Sequence, residues 1–395
     1  MGLLRLIPYS TTAMSDLRIV APYGFFFILL GLWACNPDPV VQPTTSPQPA
    51  VLTDAQQAIV DGLDSAQHEI AAKPFDVTDE ELQVLDYLAD TKVVGLGEAT
   101  HGTREFFQMK HRVFQYLVEK HGYDAFVFEM DFAEAMIFDR WIQGESQADL
   151  RNLMRTEMLF WTWATEEVLE LFTWMRDYNI AHPDKRVHLY GVDTQAPFYN
   201  LKELTRQLDA ILPALADSMR FYHGAEYEKM FDLYDAKDQE AAERIQKNLQ
   251  HTHLLIEQAR DELVSLSSEE NYALIAQLHL HMEQVEAHNY QFTHQGQPPL
   301  RDKYMADNTR WWLDQSPEGT QHVLWAHNYH VSNIYTGNLW NDSQGGYLKN
   351  FYQSDYQIIG FGKNTGRFTA FNGGVLRENI ITTIGNSGSS NYIFS

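Results

Sequence analysis

Four short runs of nearly unbroken apolar residues punctuate the chain, at 92–97, 124–129, 186–192 and 321–326. Strands covered on both faces read this way, because no position has to alternate toward water. Two further β-branched or aromatic runs, 356–362 and 367–371, read as additional strands. Amphipathic patterns lie between them. Behind the first run, Phe106, Phe107, Lys110, Val113, Phe114 and Leu117 recur at helical spacing, and Gly122 is placed to end that helix. Strand alternating with helix predicts an α/β fold, a mostly parallel central sheet flanked by helices. From 201 to about 295 the pattern changes to helices alone, for example 241–264 and 269–292, with Pro213 as the one proline. That stretch predicts an inserted or appended helical subdomain, or helices that simply cover the sheet.

Near the start, residues 19–33 are apolar but fall short of the roughly 20 needed to span a bilayer as a helix. Leu32-Trp33-Ala34-Cys35 follows, and the whole resembles a bacterial lipoprotein signal. The resemblance implies a leader over 1–35, lipidation of Cys35, and an exported cell-envelope protein that meets the membrane only through that lipid anchor. A plain signal peptide or an anchor helix is the alternative. Residues 36–54 are Pro-rich and read as an extended tether, leaving 55–395 as the body.

Composition narrows the class. Of 395 residues, 44% are hydrophobic and 13% aromatic, ample for a large core. Lys plus Arg total 29 against 53 Asp plus Glu, a net charge of −24 that repels phosphate backbones and argues against a nucleic-acid partner. A single cysteine excludes an intrachain disulfide.

Ligands of open α/β sheets bind beyond the carboxyl ends of the strands, and here those ends carry the chemistry. The first strand runs into Glu98-Ala99-Thr100-His101-Gly102-Thr103-Arg104-Glu105, and the second ends in Glu129-Met130-Asp131. The third ends in Asp193 and the fourth in His327-Asn328-Tyr329-His330. Each has a plainer reading. Glu98 and His101 suit a helix cap with Glu98 paired to Arg104, Glu129 a solvated loop carboxylate, Asp193 an N-cap before Thr194, and His327 and His330 the surface. His279, His281, His288 and His294 read as surface or packing residues, and Trp161, Trp163, Trp311 and Trp312 as core. No Gly-x-Ser-x-Gly elbow marks a serine nucleophile, and no HExxH pair marks a zinc site.

The run GLGEATHGTREFFQMKHRVFQYLVEKHGYDAFVFEMDF resembles the signature of the erythromycin esterase family. The similarity continues in Tyr190-Gly191-Val192-Asp193, in 301–308, in Ala326-His327-Asn328-Tyr329-His330-Val331, and in Gly346-Tyr347-Leu348 and Ile359-Gly360-Phe361-Gly362. Known enzymes of that family hydrolyse macrolide lactones, a route to antibiotic resistance. The resemblance implies a hydrolase acting on a small-molecule ester or lactone through an activated water. His101 would be general base, Glu98 or Glu129 would orient it, and Arg104 with His327 or His330 would stabilise charge on the carbonyl oxygen. Glu105, Asp193 and Asn328 would contact substrate. It implies no cofactor. A divalent metal such as zinc or manganese on the same residues, serving a metal-dependent hydrolase, is one alternative. A non-catalytic envelope module that binds a small molecule is another. The chain stops at Ser395, where the family typically carries a further segment.

Overall fold

Burial of the apolar runs organises the sheet. The computed structural model describes residues 69–362, 366–372 and 375–381, together with 54, 57 and 58. The leader over 1–35, Cys35 and nearly all of the 36–54 tether lie outside the described residues. Five strands form one parallel sheet: β1 (Val93–Leu96), β2 (Ala125–Asp131), β3 (His188–Asp193), β4 (His322–Trp325) and β5 (Tyr356–Ile359). Every residue of β1, β2 and β4 is buried, which explains why those runs show no alternation.

The strand order is β3-β2-β4-β1-β5. Val93 pairs in register with His322 and Tyr356, and Ala125 with His188 and His322. All carboxyl ends therefore emerge on one edge. β4 fills the slot between β1 and β2, so the residues after it, from His327, fall between Glu98 and Glu129. β2 runs two residues beyond its predicted end, with a register shift against β3 between Phe128 and Asp131. The 367–371 run is a strand as expected, but outside the parallel sheet. It lies in β6 (Gly366–Asn372), which pairs antiparallel with β7 (Val375–Ile381) in a separate two-stranded sheet, Arg367 opposite Ile380. Two intervening residues are far too few for a parallel crossover, and Asn372-Gly373-Gly374 has hairpin-turn composition.

The helix behind β1 spans Arg104–His121, and Gly122 closes it at φ 77°, a left-handed conformation in which its N–H reaches Leu117 and Val118 carbonyls. Between β3 and β4, helices Pro197–Ile211, Pro213–Tyr227, Met230–Asp235, Gln239–Gln258, Arg260–Leu266 and Glu269–Tyr290 follow without a strand among the described residues. Pro213 separates the first two, because it lacks an N–H and sits at the first position of the second. These helices share a core that includes Leu204, Met219, Ile245, Leu278 and Met282. The sheet packs around a different one, with Phe114, Phe126, Phe128, Phe172 and Trp325. His279 and His281 are buried packing residues of the helical region.

Gly191 marks where β3 meets the start of helix Phe132–Ile142. A Cβ there would press on the Asp131 carbonyl and lie 2.8 Å from Ala135 Cβ. Gly191→Ala is expected to cost ~1–3 kcal/mol through overpacking, read as a lower denaturant midpoint at unchanged slope.

Candidate active site

Chemistry at the strand edge starts from a charge placed on an apolar stripe. Lys110 occupies the inward face of helix Arg104–His121 and is fully buried. Its ammonium donates to Glu98 Oε2 at 2.8 Å and to the Ala326 carbonyl at 3.3 Å, and lies 4.4 Å over the Trp325 ring. Trp325 Nε1–H donates to the same carboxylate oxygen at 2.9 Å. With Oε2 held, Oε1 is 2.6 Å from His101 Nδ1. A carboxylate can only accept, so Nδ1 carries the proton and the ring presents the Nε2 lone pair. The His101 side chain keeps 32% exposure while Glu98 has none. Burial pulls Lys110 down to about 8, with Glu98 opposing.

A second ion cluster spans β2 and β3. Arg301, at the start of helix Arg301–Gln315, donates through Nη2 to Glu129 Oε1 at 2.7 Å and to Asp193 Oδ2 at 2.9 Å. Its Nε–H reaches Asp193 Oδ1 at 2.7 Å, and Nη1–H donates to His330 Nε2 at 2.9 Å. His330 Nδ1–H in turn donates to Asp302 at 2.7 Å. Burial would raise the Glu129 carboxyl, but the Arg301 guanidinium hydrogen-bonded to it outweighs burial and holds it well below the usual range. Asp193 is lowered too, burial being overcome by Arg301. Burial works against a charged His330, yet Asp302 and Glu129 raise its proton affinity. Asp131, at the end of β2 opposite Asp193, has no cation among the groups acting on it, so burial and then Asp193 push its carboxyl well up.

His327 joins the two clusters. Its backbone N–H donates to Glu129 Oε2 at 2.9 Å, and its ring centroid is 5.3 Å from that of His101. Tyr329 N–H donates to His327 Nδ1 at 3.2 Å, which leaves the proton on Nε2, facing the Ala99 carbonyl at 3.4 Å. Burial and then His101 lower its proton affinity. Trp163, edge-on to His101 at 5.4 Å, packs against Phe107, Phe128 and Trp325, so it belongs to the core and walls the His101 ring at once.

Glu98, His101, Glu129, Asp193, His327 and His330 thus converge. Three predicted residues do not. Arg104 is 69% exposed and pairs with Glu167 at 3.5 Å, because the first turn of its helix turns outward. Glu105 is exposed beside it. Asn328 is structural: its Nδ2–H donates to the Phe361 carbonyl at 2.8 Å and its Oδ1 accepts the Phe361 N–H at 3.3 Å, tying the segment after β5 to that after β4. Gly97 has to be a glycine for this approach, since a Cβ would meet Asn328 Oδ1. The predicted Glu98–Arg104 pair is replaced by Glu98–Lys110. Lys110, Arg301 and Asp302 are the charged residues that motif reading gave no role. Lys110 left a physical signal, a lone charge on an apolar helical stripe, whereas Arg301 and Asp302 stood out only as part of the family resemblance over 301–308.

The fold and site define an α/β protein with a histidine–carboxylate cluster at the carboxyl edge of a parallel sheet. A family model for erythromycin esterase matches residues 118–391, and the chain belongs to the erythromycin esterase family, hydrolases of esters and lactones. Among curated proteins, erythromycin esterase type II of Escherichia coli is 27% identical over 332 residues, 75% of each chain. The putative hydrolase YbfO of Bacillus subtilis is 23% identical over 287 residues, 66% of this chain and 61% of its own. A Bacillus cereus protein of known structure shares the fold with a TM-score of 0.72 at 24% identity, covering 86% of this chain and 83% of its own. The erythromycin esterase EreC, a histidine-to-asparagine mutant in its open conformation, shares it with a TM-score of 0.60 at 20% identity, covering 78% and 80%.

Arg301→Met leaves two buried carboxylates without their cation and is expected to cost ~3–5 kcal/mol at pH 7. The depressed Glu129 and Asp193 carboxyls stabilise the wild type above the ordinary carboxylate range and lose that effect as acid protonates them. Without Arg301 the same carboxyls favour the neutral form, so acid relieves the variant. The gap between urea midpoints of wild type and variant should therefore narrow from pH 7 to pH 4.

Proposed function

We propose that this chain opens a carboxylic ester or lactone by attack of a water that His101 activates. The observation that carries the reading is the 2.6 Å contact between His101 Nδ1 and a Glu98 carboxylate neutralised from behind by Lys110 and Trp325. In this reading water adds to the carbonyl carbon as His101 Nε2 takes its proton, and Glu98 stabilises the imidazolium. The carbonyl oxygen becomes an oxyanion, to which His327 Nε2–H, on a ring 5.3 Å from that of His101, would donate. Collapse breaks the C–O bond, and the imidazolium returns its proton to the departing alkoxide. His330, held by Asp302 and Arg301, positions Glu129 and through it the His327 backbone. Arg104 takes no part, given its outward course.

No step uses a metal. The carboxylate oxygens of Glu98 and Glu129 already accept from Lys110, Trp325, His101, Arg301 or the His327 N–H. The leader and Cys35 support an exported, lipid-anchored envelope protein as the setting of this activity.

Incubation with a panel of lactones and esters should give products heavier by one water, and H218O should deliver its label to the new carboxylate. His101→Ala is expected to lower kcat by ~10²–10⁴, and a fully active His101→Ala would sink the reading. The pH profile offers a second check. Lys110 is charged below about 8, so as pH rises through that value Glu98 loses its counter-charge and its hold on Nδ1–H. Turnover should decline along an alkaline limb centred near pH 8 that is absent from Lys110→Met, whose rate is low throughout.

A further inference from the structure

The helical region holds a second cluster of chemistry-bearing side chains that hydrolysis does not use. His253 lies on helix Gln239–Gln258, and His279 and Glu283 lie one turn apart on helix Glu269–Tyr290. One ligand atom from each falls within 4.8 Å of the others, and among the described residues this is the grouping of three His, Cys, Asp or Glu that does so. Glu283 Oε1 is 3.0 Å from His253 Nδ1 and 3.4 Å from His279 Nδ1.

Hydrogen bonding behind the cluster sets the direction of the lone pairs. Thr252 Oγ1–H donates to the Asn248 carbonyl one turn back at 2.9 Å, which spends its only proton. His279 Nε2 lies 2.7 Å from the same oxygen and His223 Nε2 2.8 Å from it, so with the hydroxyl proton on the carbonyl both rings donate to Thr252. With Nε2 toward Thr252, His279 turns Nδ1 to the cluster, on a side chain 1% exposed. That atom makes no hydrogen bond and points at a carboxylate oxygen. A nitrogen and a carboxylate oxygen set this way attract each other when a proton or a metal cation lies between them. His253 is placed differently: its Nε2 is 3.4 Å from Glu257 Oε1, and its Nδ1, turned inward, is hydrogen-bonded to Glu283 Oε1 at 3.0 Å. An imidazole whose outer N–H is held by a carboxylate or hydroxyl, with the inner nitrogen free, is the usual arrangement of a metal-binding histidine.

We propose that His253 Nδ1, His279 Nδ1 and Glu283 bind a divalent transition metal, zinc by donor type, that clasps the two helices. Two imidazoles and one carboxylate suit zinc, with water as the fourth ligand. Binding displaces the proton between His253 and Glu283. Glu283 also lines a groove of about 560 Å³ between helices Glu269–Tyr290 and Arg301–Gln315, beside Leu280 and Arg310. The site is independent of the hydrolytic reading, since none of its ligands belongs to the His101 clusters.

The test titrates chelator-stripped full-length protein with zinc by calorimetry, and measures retained zinc after dialysis. His279→Ala empties a buried position and can fail by unfolding, so the deciding variants are His253→Ala and Glu283→Gln at solvent-reached positions, with His101→Ala as the cleft control. The expected result is one equivalent in wild type and in His101→Ala. Affinity should fall at least ~100-fold in both deciding variants, since even outer partners of metal ligands account for ~10–100-fold. Zinc should raise the thermal midpoint of wild type and leave theirs unmoved. Zinc that persists in His253→Ala, zinc lost only in His101→Ala, or no binding by wild type would each overturn the proposal. Cobalt(II) visible absorption reports tetrahedral coordination by the same ligands without reference to turnover.

Discussion

One guanidinium allows this site to keep its negative charges. Glu129 and Asp193 end neighbouring strands and are almost wholly buried, a setting in which two carboxylates would otherwise take up protons. Arg301 lies against both, with hydrogen bonds of 2.7–2.9 Å. Asp131 shows what happens without it: buried close by with no cation in contact, its carboxyl is pushed toward the neutral form. Because Glu129 stays ionised, it receives the His327 N–H and sets where the segment after β4 begins. Arg301 also orients His330 from the opposite side to Asp302. Strand ends, helix start and histidine ring are thereby referred to one planar cation whose fork suits paired carboxylates.

Glu98 is handled by the same logic with different partners. A lysine and an indole hold one oxygen, which leaves the other to orient His101. The Lys110 ammonium is compact enough to sit inside the helix–sheet interface over an aromatic ring, at the cost of a proton that it holds less tightly. Charge burial here is thus not a stabilising device in itself. It trades solvation for direction, turning the Glu98 carboxylate into an orienting group.

The helical region contributes to the cleft by contact as well as by coverage. The His281 ring spans Asn200 Oδ1 and the Asp193 carbonyl oxygen, 2.8 Å from each, and Asn308 Nδ2–H donates to the Val192 carbonyl. The end of β3 is therefore held by side chains from two helices, one of them braced by Asn200 of a third. If a metal clasps the helices of His253 and His279, the rigidity of that hold has a source outside the cleft.

The sequence by itself determined the layered architecture, since runs buried on both faces and a change of period are written in neighbouring residues. The helix ending at Gly122 was legible for the same reason, as was the collection of imidazoles and carboxylates at strand ends. Local pattern also identified Glu98, His101, Glu129, Asp193, His327 and His330 as the groups to watch. What only the tertiary structure decided is which cation meets which carboxylate. Arg104 lies six residues from Glu98 and was the natural partner by spacing, yet its helix turns that position to solvent and brings Lys110 inward. Arg301 reaches Asp193 from 108 positions away. The insertion of β4 between β1 and β2 places His327 beside His101, and parallel strand order leaves no trace in periodicity. Period and turn chemistry act between near neighbours, whereas ion pairing and strand order follow from distant segments sharing one buried edge.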